Sequence, residues 1–433
     1  MSVSPLEERY KTEMNAIFEE ENKLRKWLLV ESALAKANAK AGNIPKKAAE
    51  EIEAKSANVK LERVKQIEEE IHHDLMAMVK ALTEQCTEES GKYIHLGATS
   101  YDIEDTAQAL IFKEAFTIIK SNVKKTIELL KKLAQEKKDL VCVARTHGQH
   151  AVPTTYGMKF ALYLQEFQRH LERIEEAEKR IYVGKMTGAA GTMASFGEKA
   201  FEIQEEVMRI LGLAPAKVTN QVIQRDRYAE AVFLLALIAC SIEKVAKEMR
   251  NLQRNEIMEL AEPFKKKSQV GSSTMPQKRN PHKSERLCSL ARIIRSNLHV
   301  AMENIALEHE RDLTNSANER YIFPEAFITV NFMLEELNKI LGGLDFFPEN
   351  IRRNLYMSEI LAERAMIELV KKGEGRQEAH EIVRKKTIEA LEKGKRLKEL
   401  MGEYFSKKEL DEIFTPENYI GKAKEIVDKA MKE

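Results

Sequence analysis

Proline ends a helix by removing a backbone donor and crowding the preceding turn. It is missing from residues 46–152, 154–214, 216–262 and 282–323 of this 433-residue chain. These intervals permit very long helices, and the apolar spacing indicates that at least one is used. Phe112, Phe116, Ile119, Val123, Ile127, Leu130 and Leu133 step by three or four, which predicts one apolar stripe along about six turns of helix. The opposite face of that segment is rich in lysine. Strand signals are sparse: only Leu140-Val-Cys-Val143 reads as a short extended piece or a helix terminus. Long amphipathic helices need partners along their whole length, so the pattern predicts an all-α helical bundle, shared between the subunits of a homo-oligomer.

The length suggests roughly two to four domains or subdomains. A polar stretch at 91–105 ends an N-terminal helical domain, and Gly342-Gly343 with Pro348-Glu-Asn350 opens a C-terminal one. The expected division is therefore 1–105, a central long-helix domain at 106–345, and 346–433. Lys and Arg total 70 against 69 Asp and Glu, a net charge of +1. That balance argues against a nucleic-acid protein, which would carry a basic excess or stripe. The four cysteines, Cys86, Cys142, Cys240 and Cys288, are widely spaced and form no CxxC pair, which points to neither a disulfide scaffold nor a zinc ribbon. A charged N-terminus without an apolar core, and a longest apolar run (231–242) too short to span a bilayer, predict a cytoplasmic protein without membrane association.

Four polar segments interrupt the helical pattern. One is Gly271-Ser-Ser-Thr-Met-Pro-Gln-Lys-Arg-Asn-Pro281, in which prolines bar helix continuation and Lys278 and Arg279 concentrate charge. On composition alone it reads either as a solvated connector or as a catalytic loop. The others are Glu70-Ile-His-His-Asp74 with Gly97-Ala-Thr-Ser-Tyr-Asp102, then Arg145-Thr-His-Gly-Gln149, and His309-Glu-Arg-Asp-Leu-Thr-Asn-Ser316 through Arg320. Thr99, Ser100 and Asp102 also suit helix caps. His147 and His150 have HxxH spacing but no HExxH glutamate or nearby cysteine, so no metal is expected. The glycines at 184, 188 and 191 follow no strand and form no GxGxxG, and read as close helix packing or a bend. Taken together, a serine, a lysine, histidines and arginines suit elimination from a polyanion. A base takes a proton beside a carboxylate, cations hold the resulting aci-carboxylate, and an acid protonates the leaving group.

With these residues assembled, the chain resembles the fumarase/aspartase superfamily. The GSSxMPxKxNP loop of that superfamily is matched at every fixed position of the 271–281 segment, with Thr99-Ser100-x-Asp102 and Thr146-His147-x-Gln149 in the same order. Within it the chain most resembles the adenylosuccinate lyase family, through His73-Asp74, Glu310-Arg311 with Ser316 and Arg320, Arg9-Tyr10 and Ser284-Glu-Arg286. Carboxymuconate cycloisomerases share the QKRNP ending, so the segment around Arg311 and Arg320 decides the branch.

The resemblance implies a three-domain all-α fold, a homotetramer on a central helix bundle, active sites shared between subunits and no cofactor. It implies release of fumarate from adenylosuccinate, giving AMP, and from succinylaminoimidazole carboxamide ribotide in purine synthesis. Ser272 would be the base and His147 the acid, with His73 a rival acid or an orienting group and Glu285 tuning His73. Lys278 and Asn280, with Thr99 and Ser100, would hold the succinyl carboxylate. Arg9, Tyr10, Arg286, Arg311, Ser316 and Arg320 would grip the nucleotide, with Gln221, His72, Asp74, Ser273 and Met275 lining the site. His72, where relatives often carry arginine, and His150, where they often carry proline, depart from the pattern without removing a catalytic group.

Overall fold

The computed structural model describes residues 4–264, 271, 273–275 and 277–432. The fold is all-α, as expected. Its long helices are Glu20–Ala41, Ser100–Glu136, Tyr156–Ile181, Asp226–Leu252, His282–Glu303 and Ser316–Leu341. All seven residues of the predicted stripe on the Ser100–Glu136 helix are buried. The interval 282–323 holds two helices rather than one, broken at 304–315 without a proline, and Pro324 sits inside the second helix. Extended pairing among the described residues comprises a hairpin and two bridges of two residues per strand.

The chain forms two compact units. One contains Met1–Val123, His170–Cys240 and Ser289–Glu335; the other contains Lys124–Arg169, Ser241–Cys288 and Glu336–Glu433. In the first, Leu24, Trp27, Leu34, Met78, Ile103, Ile203 and Met208 belong to one apolar core. Beside it Phe112, Tyr228, Phe323 and Phe327 interlock, with Phe112 edge-on to Phe323 at 5.1 Å and to Tyr228 at 5.3 Å between centroids. Edge-to-face aromatic pairs add to plain area burial. In the second unit, Tyr156 meets Phe346 edge-on at 5.4 Å, and Ala365, Leu369, Leu397, Met401 and Ile413 form a separate cluster.

The sequence reading of Leu140–Val143 as extended holds from Val141, but the strand runs on to Thr146 and pairs with Gln149–Thr155. The turn between them is His147-Gly148, both left-handed at φ 52° and 77°. Two consecutive positive-φ residues give the tight turn whose twist matches paired strands. Glycine takes this conformation without cost, whereas a histidine there is held against its own preference.

Candidate active site

In the first unit the Thr99–Asp102 segment is both a helix cap and the centre of a buried polar cluster. Asp102 Oδ2 accepts the Thr99 amide at 2.9 Å, the reach-back bond of a capping box. Oδ1 accepts the Thr187 amide at 2.8 Å, and Gly188 N approaches Oδ2 at 3.1 Å. The Lys185 ammonium also bonds Oδ1, and both side chains of this ion pair are 0% exposed. The Lys185 pairing was not read from the sequence. Gly191, with φ 83°, has no room for a Cβ against the Thr219 carbonyl, so at this residue backbone packs closely on backbone.

His72 is left-handed at φ 55° and closes the Leu61–Ile71 helix through its amide on Glu68 O at 2.7 Å. His73 caps the next helix, Asp74–Thr83, its Nδ1 accepting from Met76 N at 3.4 Å. Asp74 accepts from Arg320 Nη2 at 3.2 Å. Arg311 lies over the Tyr101 ring at 4.0 Å and donates Nη1 to Asn315 at 2.8 Å. Its Nε and Nη2 are buried without a hydrogen-bond partner among the described residues. Two buried donors of a guanidinium aimed at nothing are costly, and an anion would satisfy both. Tyr101, whose hydroxyl bonds Ser316, is pushed up to about 12 by burial and by nearby Glu104. Gln221 donates to Ala189 O at 3.1 Å, and Tyr10 packs on Phe332 at 5.0 Å. Arg9 is exposed. The unit thus brings His73, Asp74 and Arg320 together, and Ser316 and Arg311 around Tyr101.

A cavity of about 260 Å³ adjoins these residues, lined by Tyr101, Ser316, Arg320, Lys23, Glu104 and Gln108 among others. Glu104 was missed in the sequence, although Tyr101, Glu104 and Gln108 recur at helical spacing on the Ser100–Glu136 helix. Burial, and next to it the charge of Asp74, raise the Glu104 carboxyl from an ordinary 4.5 to about 8. The folded state therefore holds a proton that the unfolded chain releases, and this contribution to stability is present below about pH 4.5 and lost as pH rises through about 8. Unfolding midpoints measured from pH 5 to 9 should fall with pH in the wild type and less steeply in Glu104→Gln.

In the second unit His147 stands at the hairpin tip, exposed with its neighbours Thr146 to Gln149. His150 bonds Ser358 Oγ at 3.0 Å, and burial with the charge of Arg145 lowers its pKa. The serine proposed as base, Ser272, lies outside the described residues. Around it the loop base is defined. A Cβ on Gly271 would collide with the Lys278 carbonyl oxygen, and Asn280 Nδ2 donates to Gly271 O at 3.0 Å. Gln253 donates to Arg279 O at 3.0 Å, and Arg279 pairs with Asp345 at 3.0 Å. The buried Glu262 carboxylate accepts the amides of Ser284 and Lys283, at 2.5 and 3.3 Å, where it satisfies first-turn N–H groups of the His282–Glu303 helix that have no partner within the helix. Arg286 reaches Glu336 at 3.6 Å. Lys278, Asn280, Met275 and Glu285 line a cavity of about 870 Å³, joined by Arg250 and Arg254. Lys278, Ser273 and Glu285 are exposed. Among the described residues no group of three or more His, Cys, Asp or Glu is placed to hold a metal ion, and no helix is long and apolar enough to cross a membrane.

A lyase family model matches residues 8–295, and a model described as the adenylosuccinate lyase C-terminus matches 359–430. The adenylosuccinate lyase of Pyrococcus abyssi is 55% identical, covering 100% of this chain and 98% of its own length. The chain belongs to the adenylosuccinate lyase family. The Methanocaldococcus jannaschii adenylosuccinate lyase is 52% identical, over 100% of this chain and 96% of that protein. Among solved structures, a 3-carboxy-cis,cis-muconate lactonizing enzyme from Pseudomonas putida superposes with a TM-score of 0.90 at 31% identity, covering 99% and 98% of the two chains. The adenylosuccinate lyase family thus shares its scaffold with a different chemistry, so the branch rests on sequence rather than on fold.

Proposed function

We propose that this enzyme eliminates fumarate from adenylosuccinate, giving AMP, and from succinylaminoimidazole carboxamide ribotide, in purine nucleotide biosynthesis. The observation that carries this reading is the full-length identity to adenylosuccinate lyases. In the proposed reaction Ser272, as alkoxide, takes the proton from the succinyl carbon beside a carboxylate. Negative charge moves onto that carboxylate, held by Lys278, Asn280, Thr99 and Ser100. The C–N bond then breaks, its electron pair goes to the nucleotide nitrogen, and His147 protonates that nitrogen. Arg311 supports phosphate binding because two of its buried donors have no partner among the described residues, and a guanidinium fork suits phosphate oxygens. His73 with Asp74 orients the substrate, and Arg9, Tyr10, His72, Gln221, Ser273, Met275, Glu285, Arg286, Ser316 and Arg320 complete the pocket.

The active form is proposed to be a cytoplasmic homotetramer with sites shared between subunits. Leu162, Phe233, Ile293, Met302 and Tyr321 on the long helices are each exposed, apolar side chains of the kind that subunit contact covers. The exposed His147 tip suits a site completed by another chain. The division into 1–105, 106–345 and 346–433 belongs to the same proposal, and the separate apolar cluster at 365–413 supports its last member.

Purified enzyme mixed with adenylosuccinate should release fumarate in step with AMP. Turnover of a carboxymuconate instead would move the chain to the cycloisomerase branch, and no turnover of either at high protein concentration would leave a binding scaffold. Ser272→Ala should fold normally and lose orders of magnitude in kcat; near-normal kcat would remove Ser272 as base.

A further inference from the structure

Glu259 follows the Asp226–Leu252 helix by seven residues and has no solvent exposure, yet the reaction outlined above makes no use of it. Its carboxylate takes three bonds. Oε1 accepts from Arg145 Nη2 at 2.5 Å and from Asn354 Nδ2 at 3.0 Å, and Oε2 accepts from the Tyr156 hydroxyl at 2.6 Å. Arg145 lies two residues before His147 on the first strand of the hairpin, and Tyr156 is the residue after the second strand. One carboxylate therefore ties both arms of the hairpin whose tip is His147.

The anchor is itself fixed. Glu259 O accepts Phe347 N at 3.0 Å, while Asn350 and Asn354 donate to the carbonyls of Met258 and Ile257 at 2.9 and 2.8 Å. Among the described residues Arg145 has this one acceptor: its other terminal nitrogen, Nη1, is buried without a partner there. The hairpin has need of an anchor, because its register shifts between Val143 and Arg145 and its tip is exposed with His147 at φ 52°.

We propose that Glu259 is a positioning residue for His147, holding the hairpin through Arg145 and Tyr156 so that the imidazole meets the leaving nitrogen. The proposal rests on the reading of His147 as the acid. A positioning role predicts a loss in kcat rather than in substrate affinity, because small misplacements of a reacting group are expensive. It also predicts that the loss disappears once the positioned group is gone.

The test uses full-length Glu259→Gln, which keeps the shape and removes the charge, with His147→Gln and the double variant, all assayed on adenylosuccinate. Glu259→Gln should lower kcat roughly 10–100-fold with KM within about threefold, and the double variant should be no slower than His147→Gln alone. Wild-type turnover in Glu259→Gln overturns the proposal. So does a double variant slowed below His147→Gln by the factor seen in the wild-type background, which would mean a general structural role. Wild-type turnover in His147→Gln instead refutes the acid assignment, and the proposal falls with it. Should Glu259→Gln fail to fold, Tyr156→Phe carries the test. It deletes one of the three bonds and leaves the ring against Phe346, so it should give a smaller kcat loss that again vanishes in the His147→Gln background; no loss overturns the proposal.

Discussion

His147→Gln should lower kcat on adenylosuccinate by roughly 10²–10⁴-fold, the usual worth of a positioned general acid, while KM changes little. The departing nitrogen carries the electron pair of the broken C–N bond, and without a proton donor that charge must be carried until water supplies one. The backbone provides a control. His147 holds φ 52° in the turn, a conformation that asparagine enters more readily than glutamine. His147→Asn should therefore keep the hairpin at least as well as His147→Gln and be just as slow. If His147→Asn retained kcat within about tenfold while His147→Gln did not, the defect would lie in the turn and not in proton transfer. Retention in both, with loss in His73→Gln, would transfer the role to His73. His73 already uses Nδ1 as an acceptor at its helix cap, which leaves Nε2 to act on a substrate.

The parts of the fold that were legible in the sequence are those with a local periodic signal. The stripe from Phe112 to Leu133 is one, because a helix that buries one face must repeat apolar residues every three or four positions. The second strand of the hairpin was not legible: Gln149 and His150 break the alternation and Pro153 argues against a ladder position. The available signal was the His-Gly pair as a two-residue turn. The break at 304–315 and Pro324 within a helix show the limit of punctuation by proline, since the helix ends where no proline stands and continues through one where it does. For the candidate site, motifs supplied the residues to examine, but not the partners those residues have in the fold. Lys185 meets Asp102 across 83 residues and Arg145 meets Glu259 across 114. Pairs of this kind leave no local trace, because the buried charge of one member is explained only by the distant other.

The first of those pairs should show its importance in stability. Lys185→Met keeps the length of the side chain but leaves the Asp102 carboxylate buried without its counter-charge, and should destabilise the fold by about 3–5 kcal/mol. The amides of Thr99, Thr187 and Gly188 remain on the carboxylate, and hydrogen bonds to an anion are stronger than neutral ones. The cost should therefore lie toward the lower end of that range. Asp102→Asn offers no escape, because both oxygens accept from backbone N–H groups and an amide nitrogen would turn a donor toward one of them. It leaves Lys185 charged and buried as well, and should cost at least as much as Lys185→Met. Urea unfolding at fixed protein concentration reads both variants, and a shift below about 1 kcal/mol in either would mean that the pair is solvated or rearranged, contrary to the burial seen here. Turnover adds a second reading. The Asp102 carboxylate fixes the Thr99 amide at the start of the helix, so the folded fraction of Lys185→Met should bind adenylosuccinate more weakly through a displaced Thr99-Ser100, raising KM. Unchanged KM in a destabilised Lys185→Met would confine the pair to holding the core together and detach Thr99-Ser100 from it.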